Sequence, residues 1–188
     1  MGKLQDSIRL LLHSMILLLF VDPLCSAAPL PEEKIKAGYI YQFTQFVTWP
    51  DSTPSTNKKF IICVLGKDPI GNELDPLHSN STSEYIFVVR KSETAEKIDD
   101  CNILYISNFV EIKLSKILQR IKNKPVLTVS SQPDFVRKGG IIGFVNNNNK
   151  IRLEINRLPA KRMNIEINTK LLEVAILVLN SHSGDEHP

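Results

Sequence analysis

The chain has 188 residues, room for one domain of ordinary size and too little for two. Its 43% hydrophobic and 23% charged residues exclude a disordered tail, a collagenous rod and a multi-span membrane protein. The 23 Lys and Arg against 20 Asp and Glu leave a net charge of +3, too small and too scattered to point to nucleic acid.

Lys3 and Arg9 bracket a short basic start, and Leu10 to Val21 follow as an apolar run broken only by His13 and Ser14. Such a run fits the roughly 7–15 residues of a signal-peptide core and falls short of the roughly 18 that span a bilayer. Asp22-Pro23 breaks it, and Cys25-Ser26-Ala27-Ala28 offers small residues to a peptidase. A lipoprotein anchor at Cys25 wants a small residue before the cysteine, where Leu24 stands; an uncleaved anchor helix is the other alternative. The expectation is export, with residues 1–27 a signal peptide, 28–180 a single domain and 181–188 a polar tail. Removal of Cys25 with the leader leaves Cys63 and Cys101, an even count for an oxidising compartment. A bridge between them and a pair of buried free thiols are both open at this point. No histidine lies near either in sequence.

Residues 31 to 48 are predicted as a helix whose Ile35, Tyr39, Ile40, Phe43, Phe46 and Val47 line one broad face. Pro31 with Glu32 and Glu33 suits a first turn, and Pro50 ends the helix after Trp49. Phe60 to Leu65 is a continuous apolar run, the mark of a strand buried on both faces. Gly66-Lys67-Asp68-Pro69 turns into a helix through Leu77. Tyr85 to Val89 is a second strand, Ala95 to Ile98 a short helix, and Ile103 to Ile106 a third strand. A helix carrying Val110, Ile112, Leu114, Ile117, Leu118 and Ile121 follows, then a fourth strand, Pro125 to Val129. Pro133 to Arg137 reads as one helical turn stopped by Gly139-Gly140. Ile141 to Val145 and Ile151 to Ile155 flank Asn146 to Lys150 as a hairpin with a somewhat long turn. A helix from about Pro159 to Leu179 closes the domain.

Strands alternating with helices predict an α/β three-layer sandwich with a mostly parallel sheet, ending in a β-hairpin and a C-terminal helix. A flavodoxin-like strand order, 2-1-3-4-5, is expected; it makes strands one and three neighbours and brings the segments carrying Cys63 and Cys101 together.

Motifs for catalysis are missing. Gly66 to Gly71 lacks the order of a P-loop or a dinucleotide fingerprint, and Asp68 would oppose a phosphate. Ser107, Ser130 and Ser131 stand at strand ends without a nucleophile elbow. No histidine pair has ligand spacing, and Glu32-Glu33 and Asp99-Asp100 read as solvated helix ends. Asn80-Ser81-Thr82 matches a glycosylation acceptor. No catalytic, metal or cofactor residue is therefore assigned. Two places ask for a role. Tyr41 and Trp49, off the main stripe of an aromatic-rich helix, are candidates to hold a partner or an aromatic ligand, with core packing the plainer reading. Arg152, Glu154 and Asn156 alternate onto one face of the last hairpin strand, where the plainer reading is a polar face on an edge strand.

Those two places also carry a resemblance. Lys36 to Pro50 (KAGYIYQFTQFVTWP), Ile62-Cys63-Val64-Leu65-Gly66, Cys101 to Ser107, Val126 to Ser130, Phe135, Gly139-Gly140-Ile141-Ile142, Arg152 to Asn156 and Leu171-Leu172 follow in unbroken order. Over about 34–178 this series resembles the YfiR-like family of periplasmic bacterial proteins. The resemblance implies regulation rather than catalysis: binding to the periplasmic domain of an inner-membrane diguanylate cyclase and repression of its cyclic-di-GMP output. A sensor kinase is the other partner type considered. It further implies relief by an outer-membrane lipoprotein and a Cys63–Cys101 disulfide; whether the chain forms a homodimer stays open at this point. The chain departs from its namesake in lacking a further cysteine pair and in carrying Pro159 where a small helix-friendly residue is more usual. The alternative function is a periplasmic small-molecule sensor with an aromatic-lined groove near Trp49.

Overall fold

The computed structural model describes residues 30–50, 59–79 and 85–180. The leader, the glycosylation motif at Asn80 and the polar tail lie outside them. Helix α1 (Glu32–Phe46) runs into a two-residue strand β1 (Val47–Thr48). There follow β2 (Lys59–Leu65), α2 (Ile70–Ser79), β3 (Ile86–Ser92), a 3₁₀ turn (Ile98–Asp100), β4 (Ile103–Ile106), α3 (Leu114–Arg120) and β5 (Leu127–Ser130). The chain continues through β6 (Ile142–Asn147), β7 (Lys150–Asn156), α4 (Arg157–Arg162), β8 (Glu166–Ile167), α5 (Thr169–Glu173) and β9 (Ala175–Leu179).

Seven strands form one sheet in the order β3-β2-β4-β5-β6-β7-β9, while β1 and β8 pair as a separate antiparallel ribbon. From β3 to β6 every neighbour is parallel, so the expected 2-1-3-4-5 order holds. Strands β4 and β5 are buried at every position because both faces are covered. One face packs Ile40 and Phe43 of α1, Ile70 and Leu74 of α2, Ala160 of α4 and Leu171 of α5. The other packs Ile117 of α3 with Ile121, Phe135 and Val136. Those two cores fill the spaces between the sheet and its flanking layers in a three-layer sandwich.

Several expected elements change. The predicted single helix over 159–179 becomes a short helix, a strand, a second short helix and a final strand. Pro159 sits in the first turn of α4, where a missing N–H costs nothing, and Asn156 caps that turn by accepting from the Leu158 N–H at 3.0 Å. Asn164 at φ 54° then stops it. The closing run Ala175-Ile176-Leu177-Val178-Leu179 finds a parallel hydrogen-bonding partner in β7, which a β-branched, apolar segment takes in preference to a helix. It follows that β7 is an interior strand, not an edge, and that the polar alternation of Arg152, Glu154 and Asn156 does not guard an open edge.

The short helix expected at 95–98 is a 3₁₀ turn over Ile98–Asp100, entered through Lys97 at φ 55°. Val110 and Ile112 belong to the loop before α3 and still pack on the second core. The hairpin is tighter than expected: Asn147 pairs with Lys150, which leaves only Asn148 and Asn149 in the turn, at φ 52° and 57°. Two positive φ values match the right-handed twist of the flanking strands, and asparagine tolerates them. Asn149→Gly is therefore expected to stabilise by about 0.5–1 kcal/mol, since glycine visits this region without strain. Asn149→Val is expected to cost about 1–2 kcal/mol. Denaturant midpoints of the two variants check both signs.

Candidate functional site

The parallel strands deliver their carboxyl ends to one rim of the sheet, and between β2 and β4 the crossovers change face. Ligands of doubly wound folds bind at such a switch point. Here the crevice is filled. Gly66, at φ 92°, lies so close to the next loop that a Cβ would come within 3.0 Å of Ser107 Cβ and 3.3 Å of Val110 Cα. The Ser107 hydroxyl donates to the Lys67 carbonyl at 2.9 Å, stitching the two loops together. Gly66 to Gly71 is thus a structural turn, with Asp68 Oδ1 accepting from the Ile70 N–H at the start of α2.

Further bonds lock this rim. Ser130 Oγ donates to the Ile106 carbonyl at 2.6 Å and accepts from the Gln132 N–H at 3.1 Å. The Gln132 side-chain amide donates to the Ser107 carbonyl at 2.9 Å. Tyr105, at the core of β4, reaches up to donate to Asp68 Oδ2 at 3.3 Å and meets Ser131 Oγ at 3.4 Å. Burial, partly offset by the bond with Ser131 and reinforced by the Asp68 charge, pushes the Tyr105 hydroxyl well above the usual tyrosine range. It therefore remains a proton donor and cannot serve as a base near neutrality. Ser107 and Ser130 spend their protons on carbonyls rather than on a base, so neither is activated as a nucleophile. His78 is engaged with the Val89 N–H at 3.5 Å. Among the described residues, no group of His, Cys, Asp and Glu could hold a metal ion.

What the rim does present is Phe109. The residue is 76% exposed, while its N–H donates to Ser107 Oγ at 3.1 Å. The turn beneath it is held to the β2 loop by Ser107 and to the β5 loop by Gln132. Lys67 and Glu93 form an ion pair at 3.5 Å on the same rim, and Lys91 pairs with Asp75 at 2.8 Å. An exposed aromatic on an immobilised turn has the character of an interface anchor, because the backbone entropy of presenting it is already spent.

The sequence candidates fall into two separate places. Trp49 packs edge-on against Phe60 with centroids 4.9 Å apart, and its indole N–H donates to the Asn102 carbonyl at 3.1 Å. Phe60 continues to Tyr85 at 5.5 Å and to Phe87 at 5.7 Å, and Tyr41 meets Phe87 at 6.2 Å. Tyr41 and Trp49 are thus half-buried members of one aromatic cluster that fastens α1 to β2 and β3. On β7, Arg152 is exposed, Glu154 is half-buried near Gly143, and Asn156 is buried. The Asn156 amide donates to the Val136 carbonyl at 2.8 Å while its oxygen caps α4. Its work is to hold the β5–β6 connection against the start of α4.

Cys63 of β2 and Cys101, just ahead of β4, form a disulfide with Cα atoms 5.9 Å apart. Sequence reasoning missed Lys36, which is buried on α1 and paired with Glu32 one turn earlier. It also missed Phe109, which precedes the residues assigned to the predicted helix. A lone aromatic between Asn108 and Val110 in a polar loop was the available signal.

No curated protein matches the chain. A family comparison does match: the sequence model of the YfiR/HmsC-like family covers residues 33–176, well over half of the chain, and the chain belongs to that family.

Proposed function

With membership of the YfiR/HmsC-like family as the premise, we propose that this chain is a periplasmic, non-enzymatic regulator. It docks on the periplasmic domain of an inner-membrane diguanylate cyclase and lowers cyclic-di-GMP output. The family match across 33–176 is the observation that carries the reading. Its leader, expected at residues 1–27, would deliver it to that compartment. Among the described residues no helix is long and apolar enough to cross a membrane.

The rim supports contact rather than turnover. Its serines and its tyrosine are bonded as structural donors, and the backbone that carries its exposed aromatic is tied down. Repression by binding is a population shift: the regulator must favour one state of the cyclase, at about 1.4 kcal/mol for each tenfold change. Driving a switch from one state to the other needs about 5.5 kcal/mol of differential affinity, which one buried aromatic anchor with its surroundings can supply a large part of. Phe109 is the residue we assign to that anchor.

Deleting the gene in its native host is expected to raise cellular cyclic-di-GMP, and restoring the wild-type chain to bring it down. Phe109→Ala, with thermal stability and export unchanged, is expected to weaken binding about thirtyfold, a loss of about 2 kcal/mol, and to restore repression poorly. No rise on deletion would overturn the cyclase as partner. Full repression by Phe109→Ala would remove Phe109 from the interface and leave the partner standing.

A further inference from the structure

Where the two sheet faces meet, a groove of about 250 Å³ runs between α3, the Gly139 turn and α4. Its floor is apolar: Ile121, Ile141 and Pro159 are buried there, and Leu118 and Met163 are half-buried. Around the floor stand Lys122, Lys138 and Arg162, each from a different segment, and no carboxylate lines the groove. Lys138 Nζ is bonded to the Pro133 carbonyl at 2.9 Å. Neither Lys122 nor Arg162 forms an ion pair among the described residues. The chain segment that supplies most of the lining is itself basic: Lys113, Lys116, Lys122, Lys124, Arg137 and Lys138 stand against the single acid Asp134 over residues 113–138. Arg120, in the same stretch, is drawn toward Asp99 at 3.4 Å.

A chain with a net charge of only +3 thus sets three basic side chains and no carboxylate around one apolar depression. Three ammonium and guanidinium groups converging without a counter-charge attract an anion, and low-dielectric walls focus that attraction. The apolar floor adds a preference that a bare inorganic anion cannot use. The volume holds roughly eight groups of the size of a water molecule, at about 30 Å³ each. We infer that this groove binds an amphiphilic anion, a phosphate or carboxylate head on a short apolar stem, with Lys122, Lys138 and Arg162 holding the head. This site is independent of the cyclase reading, since the Phe109 rim is built from other loops. A membrane lipid headgroup with the first part of its chain and a soluble metabolite share this chemistry.

Octyl phosphate below its micellar concentration is the probe, titrated into the full chain with the Met163 methyl resonance as the local readout. A saturable shift at Met163 is expected, with octyl glucoside and inorganic phosphate each binding at least tenfold more weakly. The double variant Lys122→Gln, Arg162→Gln replaces only exposed side chains; it should keep its melting temperature and lose at least tenfold in octyl phosphate affinity. Equal binding of octyl glucoside, unchanged affinity in the double variant, or no shift at Met163 would each overturn the site. Co-sedimentation with phosphatidylglycerol vesicles, lost in the same double variant, would assign the head to a lipid. Octyl phosphate binding without co-sedimentation would assign it to a soluble ligand.

Discussion

Replacing Gly140 with alanine is expected to destabilise the domain by about 3 kcal/mol or more, at the severe end of overpacking. A Cβ at this position would lie 2.2 Å from Cε1 of Phe135 and 2.4 Å from Cδ1 and Cζ of the same ring. The cause is collision, not backbone strain, because Gly140 does not occupy a positive φ. The ring has little room to yield. Phe135 is 1% exposed, embedded in the second core, and its carbonyl accepts from the Gly140 N–H at 3.0 Å. Moving it forfeits packing comparable to a large-to-small core change, about 3–5 kcal/mol for a phenylalanine. Urea titration of Gly140→Ala measures the loss, and a result within about 1 kcal/mol of wild type would show that the ring relocates freely. The double variant Gly140→Ala, Phe135→Leu should recover at least about 1 kcal/mol of coupling, because the smaller side chain vacates the space the methyl needs. Gly38→Ala supplies the contrast. Nothing stands within 4 Å of that added methyl, in the interior of α1, so a gain of about 0.5–1 kcal/mol is expected.

The same pair of glycines shows what a sequence can and cannot carry. Gly139-Gly140 reads as a helix stop, and Gly139 at φ 97° does end the turn. The need for glycine at 140 arises from a ring five residues earlier folding back over it, a contact that no local propensity encodes. Strand order was legible for a different reason. Runs such as Ile61 to Leu65 and Ile103 to Ile106 are too apolar for any place but a doubly covered sheet, and short connections between them allow few topologies. The closing segment misled because Leu171, Leu172, Ala175, Ile176 and Leu179 satisfy a helical period and a buried strand alike. A vacant parallel edge beside β7 settled that ambiguity, and such an edge exists only once the sheet is built.

The rim was not legible as a place. Asp68, Tyr105, Ser107, Ser131 and Gln132 come from three strand ends that only the β2-β4-β5 order sets side by side. Tyr105 looked like one more apolar strand position, and its hydroxyl found partners because the strand happens to end one residue later. The basic groove has the same origin: Lys122, Lys138 and Arg162 are ordinary surface residues in sequence, and they converge because the Gly139 turn brings the β5–β6 connection between α3 and α4. The aromatic residues went the other way. Their density in and just after α1 invited a ligand, whereas the fold uses Tyr41 and Trp49 to join that segment to β3 and β2.

Loss of the Cys63–Cys101 bridge is expected to cost about 4 kcal/mol, the chain-entropy value for a loop spanning a separation of 38 residues. That is a large share of the roughly 5–15 kcal/mol that holds a domain together. At about 2–4 °C per kcal/mol for a chain of this size, the melting temperature should fall by roughly 8–16 °C. Both cysteines are buried, at 4% and 3% exposure, and both belong to the second core. Cys63→Ala with Cys101→Ala therefore isolates the crosslink, whereas a serine at either position adds the penalty of a buried hydroxyl. The alanine pair and the wild type unfolded under reducing conditions should give the same midpoint, well below that of the oxidised wild type. A difference under about 1 kcal/mol between oxidised wild type and the alanine pair would show that the unfolded chain is already held compact without the bridge. The bridge ties the middle of β2 to the start of β4, the two strands whose far ends carry the Lys67 and Ser107 loops beneath Phe109. A reduced chain should thus expose that rim to local opening before the hairpin half, and hydrogen exchange at the Ser107 and Phe109 amides should quicken ahead of β6 and β7. Equal quickening in both halves would mean that the crosslink stabilises the domain only as a whole.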